Sequence, residues 1–119
     1  MNCYLCVSKI KTRIKLGKRV GVIGSGSWAT AMIKMLVDND IDKQVYWWVR
    51  KSEDVDHIRS YKHNPGYLRS VSIDLPAAQI TSDAKEVFDQ SDIIILNTPA
   101  AYLKAALAGL CTADFAGKI

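Results

Sequence analysis

Gly24, Gly26 and Ala29 stand at the spacing G-x-G-x-x-A, directly after the apolar run Val20-Gly21-Val22-Ile23. The chemistry this spacing serves is anion binding. A glycine at the first position permits a tight turn out of a strand. At the second it lets a pyrophosphate reach the backbone without meeting a Cβ, and a small third residue lets the following helix pack close to the sheet. The amides at the helix start then face the anion, and the helix dipole favours it. Ser25 lies inside the turn, and Ser27 adds a hydroxyl where a phosphate would sit. Trp28 has two readings, a wall of the cofactor cleft or a cover for the helix start. The alternative for the whole motif is a glycine corner with no ligand.

A second group of interest follows about two dozen residues later, in Trp48-Val49-Arg50-Lys51. NAD-selective folds place a carboxylate there to hold the ribose 2′-hydroxyl. None stands at this strand end, and the nearest, Glu53, belongs to the next helix. Arg50 beside Lys51 could pair with the 2′-phosphate of NADP, or Arg50 could stack on the adenine. The alternative is two solvated bases. The expected cofactor is NADP, or NADP and NAD both.

These residues need elements to hold them. Val20–Ile23 reads as a buried strand, too short for a helix. Ser27 is expected to cap a helix from about Trp28 to Val37, with Ala29, Ile33, Leu36 and Val37 on one stripe. Asp38-Asn39-Asp40 ends it. Val45–Val49 is β-branched and aromatic, a second strand. Ser52 is expected to cap a helix running to about Tyr61, with Glu53 and Asp54 favourable in its first turn. Asn64-Pro65-Gly66 breaks the chain, and residues 67–79 read as a long irregular connection of the kind that carries function. Ile80 marks a short strand, Asp83 caps a helix through Gln90, and Ile93–Leu96 reads as the clearest buried strand. Pro99 suits the first turn of a helix carrying Leu103, Leu107 and Leu110. Gly117-Lys118-Ile119 reads as a turn entering another strand. The alternation of strand and helix predicts an α/β fold, a Rossmann-type doubly wound parallel sheet, incomplete at its C-terminus.

Composition narrows the partners. The net charge is +4, but Lys9, Lys11, Arg13, Lys15, Lys18 and Arg19 precede the first strand with no acid among residues 1–19. Beyond Arg19, ten basic residues face twelve acidic ones, so the basicity belongs to an extension over 1–18 and its boundary. That distribution argues against a nucleic-acid face. No apolar run approaches the roughly 20 residues that span a bilayer. Cys3-Tyr-Leu-Cys6 lacks the second pair of a zinc site, so no metal is expected, and three cysteines fit a reducing cytoplasm.

Beyond the glycine turn, "VIGSGSWATAMIKML" resembles the opening of NAD(P)-dependent glycerol-3-phosphate dehydrogenases, whose turn reads G-x-G-x-W-G-T-A. "WWVR", "HNPGYL" with the later "LP", and "SDIIILNTPAAYL" follow in that family's order across residues 19–119. The resemblance implies hydride transfer between NAD(P)H and dihydroxyacetone phosphate, giving sn-glycerol 3-phosphate for phospholipid synthesis. It also implies a helical substrate domain that this chain lacks, and a homodimer as a candidate assembly of the full-length protein. It puts Ser27 and Trp28 against the cofactor, Arg50 on its adenosine side, and Tyr102 against it from the loop after strand four. Ala29 replaces the family's usual Gly, and Ala100 stands where Ser or His is common. The family's catalytic lysine falls just after the strand that Lys118-Ile119 begins, so no catalytic residue is assigned here. The chain is expected to be part of a longer dehydrogenase, binding cofactor weakly and not turning over by itself. Two other readings remain at this point: another two-domain NAD(P)-dependent dehydrogenase, and a non-catalytic nucleotide-binding module.

Overall fold

The computed structural model describes residues 18–39 and 44–119. The extension up to residue 17, with Cys3 and Cys6, lies outside them, as does Asp40. Within the described residues the order is β1 (Val20–Ile23), α1 (Ser27–Asp38), β2 (Val45–Trp48), α2 (Ser52–Tyr61), β3 (Ile80–Thr81), α3 (Ala84–Gln90), β4 (Ile93–Leu96) and α4 (Ala100–Ala106). Short 3-10 turns occupy Ala77–Gln79 and Thr112–Phe115.

The strands are parallel in the order β3-β2-β1-β4, with Val20 opposite both Val45 and Ile93. Alternate side chains leave opposite faces of a strand, and here both faces find a helix layer. Val22, Val45, Trp47 and Val49 pack with Ala29 and Ile33 of α1 and Val55 and Ile58 of α2. On the other face Ile23 and Trp48 pack with Val87 and Phe88 of α3. Two-sided burial explains why these strands read as continuous apolar runs rather than alternating ones. It is the doubly wound α/β arrangement that the alternation predicts.

Several local expectations change. Gly26, not Ser27, is the N-cap of α1; Ser27 is already helical and makes no capping hydrogen bond. Lys51 takes the cap position of α2 in place of Ser52. Asp83 does cap α3, accepting from the Lys85 amide. Pro99 precedes α4 as its N-cap, and that helix ends at Ala106, so Leu107 caps it and Leu110 lies beyond. Leu107 and Leu110 nevertheless pack beside Val87 and Phe88.

The larger correction concerns β4. Its run of three isoleucines and a leucine is only partly buried, and Leu96 is 46% exposed. β4 stands at one edge of the sheet as the buried β3 does at the other, so the difference is cover: α4, the helix that follows β4, has no buried residue. The outer edge of β4 is met by Ile119, whose N–H donates to the Asp92 carbonyl (2.9 Å) and whose carbonyl accepts from the Ile94 N–H (2.9 Å). That staggered pair is the pattern of parallel pairing, in keeping with a strand entered at Ile119. The segment leading there is pinned by Asp114, which is buried. Asp114 accepts from the Cys111 amide (2.9 Å) and from Lys85 Nζ (3.0 Å). The Cys111 amide, and after it Lys85, hold that carboxyl below the usual carboxylate range.

Candidate cofactor site

The turn between β1 and α1 is shaped from three sides. Gly24 has φ +148°, a backbone conformation that L side chains rarely adopt, and a Cβ there would stand 2.5 Å from the Asn97 carbonyl oxygen. Its carbonyl accepts from the buried indole N–H of Trp47 (2.7 Å), and its amide donates to the Trp48 carbonyl (3.3 Å). From the β4 side, the Asn97 amide and the Thr98 hydroxyl both donate to the Ile23 carbonyl (2.8 and 3.0 Å). Ala29, fully buried, fits beneath the turn in the position where a glycine is usual in the family it resembles.

The next two carbonyls are tied down as well. Asn64 Nδ2 donates to the Ser25 carbonyl (3.0 Å) and to Thr30 Oγ1 (2.9 Å), and Thr30 Oγ1 donates to the Gly26 carbonyl (2.8 Å). Asn64 is 2% exposed, and its Oδ1 accepts from the Gly66 and Tyr67 amides (2.9 and 3.3 Å). A trans peptide points its N–H opposite its C=O. Fixing the Ser25 and Gly26 carbonyls on the Asn64 side therefore turns the Gly26 and Ser27 amides the other way. The first intrahelical bond is from the Thr30 amide to the Gly26 carbonyl (3.0 Å), so the amides before it have no carbonyl of their own helix to meet.

Over this turn lies a cleft of about 630 Å³ at the C-terminal ends of the strands. Ser25 and Gly26 line it, and so do Arg50, Lys51 and Tyr102. The Arg50 guanidinium stands 5.8 Å from the Tyr102 ring centroid, a cation–π contact between the β2 and β4 sides. Five of the eight residues singled out from the sequence thus share one cleft. Gly24 is buried behind it. Ser27 and Trp28 are exposed and not part of its lining, and Trp28, 82% exposed, does not bury the helix start either.

Asn64, a chain-breaker by its sequence context, and Asp54, a helix-dipole residue by its position, also line the cleft. Asn64 carried one signal, its place in "HNPGYL". Its reach back to Ser25 spans 39 residues and had none. Replacing Asn64 by Ala strands the Ser25 carbonyl and two loop amides. The expected cost is about 1–2 kcal/mol of stability, measured as the urea midpoint, together with weaker cofactor binding. Retention of both wild-type values would remove Asn64 from this role.

Parallel strands ordered 3-2-1-4, helices on both faces and a glycine turn at the point where strand order reverses define a nucleotide-binding α/β domain of Rossmann type. Residues 19–114 match the family described as the NAD-dependent glycerol-3-phosphate dehydrogenase N-terminus. The chain belongs to that family. It is 35% identical over 91 residues to glycerol-3-phosphate dehydrogenase [NAD(P)+] of Nocardia farcinica, covering 76% of this chain and 26% of that protein. It is 33% identical over 92 residues to glycerol-3-phosphate dehydrogenase [NAD(P)+] 2 of Mycobacterium bovis, covering 77% and 27%. The fold superimposes on the glycerol-3-phosphate dehydrogenase of Plasmodium falciparum with a TM-score of 0.67 at 30% identity, over 84% of this chain and 30% of that one. The chain spans about a quarter of the length of the curated relatives it matches.

Proposed function

We propose that residues 19–119 form the cofactor-binding domain of an NAD(P)-dependent dehydrogenase that interconverts dihydroxyacetone phosphate and sn-glycerol 3-phosphate, with residues 1–18 as an extension. The observation that carries the cofactor is Gly26. Its φ of −80° and ψ of −169° suit any residue, and a Cβ there meets nothing within 4 Å. Folding therefore does not require a glycine at this position. A pyrophosphate lying against the backbone does, and Gly26 lines the cleft.

In this reading the Gly26 and Ser27 amides hold the pyrophosphate, with Ser25 beside them. Arg50 and Lys51 receive the adenosine end, and Tyr102 closes over it from the opposite wall. Trp28 and the Ser27 hydroxyl, both outside the cleft lining, serve at its outer margin. The nicotinamide supplies or accepts the hydride. Asp54, in the same cleft as Arg50 and Lys51, offers a carboxylate to a ribose hydroxyl, which supports use of NAD as well as NADP. Among the described residues no helix is long and apolar enough to cross a membrane. A cytoplasmic setting, no nucleic-acid partner, and a homodimer of the full-length protein complete the proposal. Its product would feed glycerophospholipid synthesis.

The cofactor assignment is tested by titrating NADPH and NADH against the chain, followed by intrinsic tryptophan fluorescence. Arg50→Ala is expected to weaken NADPH about tenfold, through loss of a charge-assisted contact worth roughly 1.5 kcal/mol, and NADH by less. Equal affinity of variant and wild type for NADPH would overturn the role given to Arg50. The substrate is tested on the full-length protein. Dihydroxyacetone phosphate should drive NAD(P)H oxidation, and turnover confined to a 2-keto acid would point to a different two-domain dehydrogenase.

A further inference from the structure

Trp47 fills a core position with a side chain that carries a polar atom the core does not need. It stands on β2 opposite Val22 of β1, is fully buried, and packs with Val22, Val45 and Val49 beneath α1 and α2. A leucine or phenylalanine would supply apolar volume there without a donor to be matched. A buried indole N–H left without an acceptor is costly, so such a group finds a partner. Here the partner is the Gly24 carbonyl at 2.7 Å, the short end of the N–H···O range. Gly24 stands two residues beyond Val22, so the indole reaches diagonally past its paired residue to the first carbonyl of the turn.

With that bond, the carbonyls of the turn are held in succession, each by a different side chain. Trp47 holds that of Gly24, Asn64 that of Ser25, and the Thr30 hydroxyl that of Gly26. Across a trans peptide the following N–H points the opposite way. The tie at Gly24 therefore orients the Ser25 amide away from the core, as the other two ties orient the amides of Gly26 and Ser27. Among the described residues, no backbone hydrogen bond across the turn uses the Ser25 amide. Successive backbone N–H groups presented in this way form a concavity for an anion. Ser25 lines the cleft, and Trp47 does not.

We propose that Trp47 is a positioning residue of the cofactor site. By holding the Gly24 carbonyl, its indole N–H aims the Ser25 amide at the pyrophosphate, a third backbone donor beside those of Gly26 and Ser27. This role rests on the reading of the cleft as a dinucleotide site. It acts only on the diphosphate, because the adenosine end lies with Arg50, Lys51 and Tyr102. A donor fixed before the ligand arrives needs no ordering when it binds, which is where the gain in affinity comes from.

The test titrates ADP and adenosine, which differ by the diphosphate, against the whole chain by NMR. Trp47→Phe should weaken ADP about tenfold, the effect of one hydrogen bond, and leave adenosine within about twofold. Equal weakening of both ligands would make Trp47 a core residue only. Wild-type ADP affinity in the variant would also overturn the proposal, while leaving the cofactor reading intact. An unmutated chain that binds no ADP would bring down the cofactor reading itself, and this role with it. If Trp47→Phe does not fold, hydrogen exchange of the Trp47 indole N–H in the unmutated chain decides. At equal saturation ADP should slow that exchange about tenfold more than adenosine does, and equal slowing would overturn the role.

Discussion

Gly26→Ala is expected to weaken cofactor binding on the order of a hundredfold, close to 2.7 kcal/mol, while leaving the urea unfolding midpoint within error of wild type. The asymmetry follows from the geometry of the turn. At Gly26 the backbone is in an extended conformation open to all residues, and an added Cβ meets no protein atom within 4 Å. The methyl group would occupy the space in which a pyrophosphate must approach the Gly26 and Ser27 amides. A longer approach weakens every charge-assisted hydrogen bond there at once. The measurement is the NADPH dissociation constant beside the denaturation curve of the same preparation. Unchanged affinity would sink the assignment of this turn to the cofactor, and lost stability would show that the glycine serves folding instead.

Gly24→Ala should do the reverse. Its φ of +148° is strained for any L side chain, and the new Cβ would stand 2.5 Å from the Asn97 carbonyl oxygen and 2.8 Å from its carbon. These are backbone atoms, held by the bond from the Asn97 amide to the Ile23 carbonyl, so no flexible tip can move aside. Backbone strain and overpacking together are expected to remove about 3 kcal/mol or more. For a domain of this size, that is a large share of the usual 5–15 kcal/mol. Thermal and urea melts of the variant check it. A midpoint equivalent to less than about 1 kcal/mol of loss would mean that the β1–β4 junction yields more easily than its bonds suggest. Together the two variants separate a glycine kept for shape from one kept for space.

The strands, their parallel alternation and the glycine turn were legible in the sequence because each is a local pattern. Val20–Ile23 and Val45–Trp48 are buried on both faces and read so. Ile93–Leu96 looked the same but is only partly buried, since burial depends on what packs over a strand and not on its own composition; β3, also at a sheet edge, is buried. Ser27 and Ser52 are good capping residues by type. Each lost the cap to its predecessor because the strand-to-helix turn, not the side chain, sets where helical angles begin. Arg50 and Tyr102 were identified separately, one by a missing carboxylate and one by resemblance, and the fold brings them to one contact. Asn64 escaped because its partners, Ser25 and Thr30, are distant in the chain and are an ordinary carbonyl and hydroxyl, with no spacing to betray them.

The tie between Trp47 and the Gly24 carbonyl, with that between Asn64 and Ser25, has a consequence in time. The glycine turn takes its shape from bonds closed across 23 and 39 residues of chain, and from the β4 end farther still. Long-range contacts of this kind form late, after the loops between them have closed. In a growing chain the turn emerges early, but its bonds from the Asn97 amide and the Thr98 hydroxyl can close only once that segment has been made. Once shaped, it is a target for any ligand that recognises only the folded state, and such a ligand pulls the last folding step forward by mass action.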